Sequence, residues 1–368
     1  MRPWLTTSYG NPSGTHSLAR AALRAVDDAR EQVAELLGGE PGEVVFTSGG
    51  TEADNLAVAG AARGARWDAA AGSGRPAAPV CCSAVEHPAV LEPTRALGGE
   101  EIGVDAGGII DLDALSCWLS AHAEDAALVS VMLVNNETGV IQPVAELAAL
   151  VREVAPSALI HTDAVQAAGW LDLPRAAAAA DLVTVSAHKF GGPKGTGALL
   201  IRPPARGRLH PVLRGGPQEH ELRAGTHDVA GIVGMGCAAR LLISESQEPA
   251  RVAQLGDRFV AGVLSAVEGA VPAVPRQLRI GTICNLGFEA IESEELLLML
   301  DAAGVCASAG SSCASGAVEP SHVLMAMGLS AGEAREHVRF SLGHRTTEAE
   351  VDQAVTLVAE AVGKLRSP

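Results

Sequence analysis

Lysine is nearly missing from this chain. Of its 27 basic residues only Lys189, Lys194 and Lys364 are lysines, and arginine supplies the rest. A lysine that persists in such a chain marks a place where a primary amine able to lose its proton is wanted. Lys364 falls near the end of the last predicted helix and reads as a solvated cation. Lys189 and Lys194 sit together in Ser-Ala-His-Lys-Phe-Gly-Gly-Pro-Lys-Gly, the first segment to suspect of chemistry. Long apolar runs are also missing. None approaches the roughly 18 residues that a membrane helix needs, and the start, Met-Arg-Pro-Trp-Leu-Thr-Thr, lacks the apolar stretch of a signal peptide. Seven cysteines, an odd number in a long chain, form no disulfide framework. Cys81 and Cys82 are adjacent, Cys306 and Cys313 have no zinc spacing, and no HExxH occurs, so no resident metal is expected. No G-x-G-x-x-G follows a strand, and there is no Walker loop. The expectation is a globular protein of a reducing, cytoplasmic compartment.

What is present fits a folded α/β chain. The 368 residues are enough for two domains or one large unit, and 48% hydrophobic against 19% charged residues excludes a disordered chain. A formal charge of −16 makes nucleic acid and anionic membrane poor partners. There is no internal repeat. Strands are predicted at Glu43–Thr47, Pro79–Ser83, Leu128–Val134, Leu159–Thr162, Leu182–Val185 and Ala198–Ile201. They alternate with helices such as His16–Leu37, which Gly38 stops. This is the pattern of a mostly parallel sheet. Ala65–Pro79 reads as a loop, and the prolines of Arg202–Pro217 mark a departure from the sheet. Capping boxes at Ser330 with Glu333 and Thr347 with Glu350 open two late helices. A boundary near residue 250 separates a large domain, 1–250, from a smaller α+β domain, 251–368.

Open parallel sheets bind ligands at the carboxyl ends of their strands. Here those ends carry Thr47-Ser48-Gly49-Gly50-Thr51-Glu52-Ala53-Asp54-Asn55, Glu86-His87, Asn135-Asn136-Glu137, Asp163 with Gln166, and Ser186-Ala187-His188-Lys189. Each has a task if the ligand is a phosphorylated aromatic aldehyde. Gly49, Gly50 and Thr51 open a helix whose free amides favour a phosphate, although a plain capped turn would look the same. Lys189 offers the amine for a Schiff base, with Ser186 and His188 suited to phosphate oxygens. Asp163 can keep a pyridine nitrogen protonated, or simply cap a helix. His87 can stack on a ring and move protons, or fill a structural place. Further on, small residues crowd Cys313 in Cys306-Ala-Ser-Ala-Gly-Ser-Ser-Cys313-Ala-Ser-Gly-Ala. That setting suits a reachable thiol better than a packed one, whereas Cys306, beside Val305, reads as packing.

These motifs together resemble the cysteine desulfurases, class I branch, of the class V aminotransferase group. To them are added Tyr9-Gly10-Asn11-Pro12-Ser13, Arg223-Ala224-Gly225-Thr226, Ser311-Ser312-Cys313 and Arg339-Phe340-Ser341-Leu342-Gly343. The resemblance implies the PLP-dependent transferase fold type I, with a mostly parallel seven-stranded sheet, and pyridoxal 5'-phosphate as cofactor. By position it implies that Lys189 carries the cofactor, Asp163 pairs with its ring nitrogen, and His87 stacks on the ring. Gln166 and Asn136 approach the phenolic oxygen. Gly50, Thr51, Ser186 and His188 hold the phosphate, joined by Thr226 of a second subunit in a homodimer. Arg339, with Asn11, takes the carboxylate of L-cysteine. Cys313 accepts the sulfur as a persulfide for an acceptor or scaffold protein, and would be the ligand of any iron–sulfur cluster shared with it. Iron–sulfur assembly and thio-modification of nucleic acid or a metabolite are the expected destinations.

Members of that family begin with a segment like Tyr-Leu-Asp-x-Ala-Ala-Thr-Thr-Pro. Here only Met1–Tyr9 precedes Gly10. A misassigned start, a shortened chain and a homologue that manages without the segment are the alternatives. The expectation is that the cofactor site survives on the residues present while efficient desulfuration is less secure. Aminotransferase or lyase chemistry would share every cofactor residue, and Cys313 argues against both. Lys189 and Asp163 argue against a cofactor-free binding subunit.

Overall fold

In the computed structural model, residues 1–65, 67–68, 73–74, 77–244, 247–310 and 319–367 are described. The chain divides into two compact units. Met1–Ile102, Leu112–Leu133 and Pro143–Ser246 form the first; Gly103–Asp111, Val134–Gln142 and Gln247–Pro368 form the second.

The first unit is built on seven strands: β1 (Val44–Thr47), β2 (Val80–Ser83), β3 (Glu100–Ile102), β4 (Leu128–Ser130), β5 (Leu159–Asp163), β6 (Leu182–Ser186) and β7 (Gly197–Ile201). Their order is β1-β7-β6-β5-β4-β2-β3. Strands β2 to β6 pair in parallel, and β7 runs antiparallel to both β6 and β1. Two reversals cancel, so β1 ends on the same sheet edge as the parallel strands. Every residue of β1, β2 and β4 to β7 is buried, which is why these strands read as continuous apolar runs. The helix Gly50–Gly64 lies on the sheet through Leu56 and the small side chains of Ala53, Ala57, Ala61 and Ala62, which let it come close. The helix Ser17–Leu37 starts on His16, whose Nδ1 accepts the Ala19 amide at 3.2 Å, and stops at Gly38 in the left-handed conformation, φ 65°.

Five expected strands fall within one residue of those observed. The sixth, Leu128–Val134, is regular only to Ser130, although Val131 and Leu133 still donate to the carbonyls of His161 and Asp163. The edge strand Glu100–Ile102 was not expected, and the supposed loop Ala65–Pro79 holds a two-residue ladder, Trp67–Asp68 against Ser73–Gly74.

One corner of this unit stores backbone strain. Glu219, His220 and Glu221 are all left-handed, with φ of 46°, 58° and 65°, each costing on the order of 1 kcal/mol. The Glu219 carboxylate offsets this by accepting from Arg30 Nη1 (2.9 Å), Arg30 Nη2 (2.6 Å) and the Phe46 amide (2.7 Å). His227 Nε2 lies 2.6 Å away, and the Arg30 guanidinium covers the Phe46 ring at 4.7 Å. Burial pushes the Glu219 carboxyl up, but the bonds from Arg30 and His227 outweigh it and hold the pKa at about 2. A carboxyl depressed in the folded state stabilises fully above its unfolded pKa and loses this as pH falls toward the folded one. Glu219→Gln should therefore cost about 3 kcal/mol at neutral pH. Urea denaturation should show that deficit shrinking steadily at more acid pH, below about pH 4.5. A deficit that stays constant down to about pH 3 would contradict the assignment.

The second unit has an antiparallel sheet of β8 (Ala270–Pro272), β9 (Ile283–Phe288) and β10 (His337–Ser341), with β9 in the middle. The helices Glu248–Ala266, Ser293–Ala302 and Glu348–Arg366 supply apolar faces to a core of Phe259, Val263, Leu286, Phe288, Leu300, Val338, Phe340 and Val358. The rings of Phe259 and Phe340 meet at 4.8 Å. Both expected capping boxes form, at Ser330 with Glu333 and Thr347 with Glu350. Among the described residues no single helix is long and apolar enough to cross a membrane.

Candidate active site

Asp163 closes β5 and faces Thr184 of β6 in register. It is buried, and its Oδ1 accepts the Val165 amide at 2.8 Å. Burial raises its pKa to about 6, against the pull of that amide and of the Lys189 charge. Lys189 follows β6 in the short helix Ala187–Phe190 and is exposed, as are Lys194 and Lys364. Ser186 Oγ lies 2.9 Å from His188 Nδ1, and burial, then the charges of Lys189 and Lys194, lower the pKa of that ring. Gln166 is half-buried just beyond Asp163.

Opposite β6 in the sheet order, β1 turns into the helix Gly50–Gly64. A Cβ on Gly50 would come within 2.9 Å of Val165 Cγ2 and 3.5 Å of Ser186 Cβ. A Cβ on Gly197, which pairs with both Thr47 and Ser186, would strike the Gly49 backbone at 2.5 Å. The turn therefore packs backbone against strand and presents first-turn amides that have no intrahelical partner. Glu52 fastens it by accepting the Ser48 amide at 2.8 Å and Arg223 Nε at 2.8 Å. Exposed Thr51 sits on this helix start. His87 begins the helix Pro88–Ala96, and its Nδ1 accepts the Ala89 amide at 3.1 Å, so its ring proton rides on Nε2. Amides, hydroxyl and imidazole fit a phosphate monoester, Asp163 fits a protonated ring nitrogen, and Lys189 fits an aldehyde. These groups suit pyridoxal phosphate.

Asn11 and Thr226 belong to the same unit and are exposed; Asn11 Oδ1 accepts the Ser13 amide at 3.0 Å. Asn136 and Arg339 belong to the second unit, where Arg339 Nη1 donates to the Asn136 carbonyl at 2.8 Å. Among the described residues Arg339 Nε is buried without a hydrogen-bond partner, a donor suited to an anionic ligand, and Asn136 Oδ1 is an unpartnered buried acceptor. Cys313 lies outside the described residues. Cys306 is exposed rather than packed. The buried thiols of Cys81, Cys82 and Cys284 are pushed up in pKa by burial, which suits them to packing rather than attack.

Several polar residues behind these groups carried no role in the sequence. Asp54, Glu86 and His161 are fully buried in the first unit. In the second, buried Glu137 accepts from Ser321 Oγ at 2.5 Å, and Ser321 caps the helix His322–Ala326. Glu86 and Glu137 stood inside quoted motifs, but no periodicity marks a carboxyl as buried.

The class-V aminotransferase family model matches residues 1–354. An IscS-like cysteine desulfurase of Mycobacterium tuberculosis is 41% identical over 98% of this chain and 91% of its own length. Among solved structures, a NifS-like protein superposes with a TM-score of 0.87 at 31% identity, covering 99% of this chain and 94% of that one. An SspA in complex with cysteine gives 0.77 at 30% identity, over 94% of each chain. The chain belongs to the class-V aminotransferases, among the cysteine desulfurases.

Proposed function

We propose that this protein is a pyridoxal-phosphate-dependent cysteine desulfurase that converts L-cysteine to L-alanine and takes the sulfur onto Cys313. The observation that carries the reading is Lys189 set beside buried Asp163 at adjacent strand ends, with the Gly50–Thr51 helix start on the same sheet edge. The cofactor, when bound, supplies an electron sink that loosens bonds at the substrate α-carbon. Asp163 would hold its ring nitrogen protonated, and Gly50, Thr51, Ser186 and His188 would hold its phosphate. His87 would stack on the ring, and Asn136 and Gln166 would bind the phenolic oxygen. Arg339, fixed on the Asn136 carbonyl and helped by Asn11, binds the substrate carboxylate. The Cys313 thiolate attacks the substrate sulfur. A sulfur–sulfur bond forms, the carbon–sulfur bond breaks, and a proton returned to the carbon leaves alanine.

In this reading residues 1–250 bind the cofactor and residues 251–368 carry the thiol, in the class I manner. The persulfide passes to an acceptor protein in the cytoplasm, for iron–sulfur assembly or thio-modification. Incubation with L-cysteine and quantification of alanine and sulfide tests the activity; no alanine from the cofactor-loaded protein would sink it. Exposed Thr226 is read as reaching a second subunit's phosphate. Sedimentation should then find a dimer even when dilute, and a fully active monomer would refute the shared site.

A further inference from the structure

Three carboxyls lie buried under the strand ends of the first unit: Asp54, Glu86 and Asp163, exposed by 1%, 0% and 5%. Asp54 comes from the helix Gly50–Gly64, Glu86 from the turn after β2, and Asp163 from the end of β5. Among the described residues Asp54 Oδ1 has no hydrogen-bond partner, and the basic group paired with it is His161 Nε2 at 3.6 Å. His161 cannot supply a charge. It is wholly buried, its Nδ1 lies 2.8 Å from Ser130 Oγ, its Nε2 lies 3.0 Å from Thr184 Oγ1, and burial lowers its pKa to about 3. Thr184 also hydrogen-bonds Asp54. An ionised Asp54 would thus be a buried anion with no cation, facing two further carboxyls.

A proton on Asp54 removes the conflict. Its O–H donates to Thr184 Oγ1, the Thr184 hydroxyl donates to His161 Nε2, and His161 Nδ1–H donates to Ser130. We propose that Asp54 is a positioning residue that works as a neutral acid, its proton held in the chain Asp54–Thr184–His161–Ser130, so that the negative charge under the site stays on Asp163. Burial and the charges of Asp163 and Glu86 push the Asp54 carboxyl well up, outweighing the hydrogen bond that a Thr184 hydroxyl would donate to the ionised form. Glu86, whose Oε1 accepts the Met132 amide at 2.5 Å, is pushed up by burial and by Asp163. Asp163 alone feels the Lys189 cation, which favours its ionised form. The role assigned to Asp54 rests on Asp163 being the partner of the ring nitrogen.

The decisive measurement is the number of protons released when the full-length cofactor-free chain unfolds in guanidinium at neutral pH. A buried neutral acid gives up its proton on unfolding, so Asp54→Asn should release about one proton fewer than wild type. Infrared spectra of the carbon-13-aspartate protein should show a protonated-acid C=O band near pH 8, and Asp54→Asn should lose it. Equal proton counts, or no such band in wild type, overturn the proposal, and the wild-type band decides even if the variant does not fold. These measurements need neither cofactor nor cysteine, so they stand apart from the desulfurase reading. With cofactor bound, Asp54→Asn should keep the pH midpoint of the visible absorption. Asp54→Ala, which breaks the chain to Thr184, should move it by about one unit; an unmoved midpoint there overturns the positioning role.

Discussion

Lys189→Arg should abolish alanine formation, by roughly 10³-fold or more, while the protein still folds. Arginine keeps the positive charge beside Asp163 but has no amine able to lose a proton and bond an aldehyde. Borohydride treatment of wild type should fix the cofactor on the peptide bearing Lys189, and the variant should give no such adduct. Lys194→Arg is the control. Lys194 is exposed five positions along, in a loop beyond the short helix Ala187–Phe190. As a surface exchange it should change the rate by no more than about twofold. Equal damage from both substitutions would mean that the lysines share a phosphate-binding role, and the covalent role would be lost.

That lysine stands out in the sequence because the chain uses arginine for nearly every other cation. The strands were legible for a related reason. A sheet buried on both faces needs unbroken apolar runs, and each run here ends abruptly in polar residues such as Asp163 or Ser186. β3 escaped because Glu100-Glu101-Ile102 is an edge strand with two exposed acids, the charge that protects an edge and hides it from an apolar pattern. The left-handed run Glu219–Glu221 has no glycine to announce it. It exists because one carboxylate gathers Arg30, His227 and the Phe46 amide from distant segments. The chain from Asp54 to Ser130 was hidden likewise, since its four members come from one helix and three strands. Small neighbours carry the expectation for Cys313, which lies outside the described residues, whereas Cys306, expected to pack, is exposed.

That exposure makes Cys306 the natural rival in the experiment on Cys313. Release of alanine from cysteine requires a nucleophile that can hold sulfur as a persulfide, and only a thiolate does so; a serine hydroxyl cannot. Cys313→Ser should leave the protein yellow and able to bind cysteine, with alanine formation reduced by roughly 10²-fold or more. Cys306→Ser should keep the rate within about twofold, because Cys306 is assigned no part in the transfer. An alkylating probe added after cysteine should find the additional sulfur on the peptide containing Cys313. The buried thiols of Cys81, Cys82 and Cys284, raised in pKa by burial, should remain unlabelled in the folded protein. If the extra sulfur appears on Cys306 and Cys306→Ser is the inactive variant, the desulfurase chemistry stands but its acceptor is the earlier cysteine. If neither substitution slows alanine release, the sulfur passes to another thiol, exposed Cys117 or Cys237 or a small-molecule thiol in solution, and Cys313 loses its assigned role.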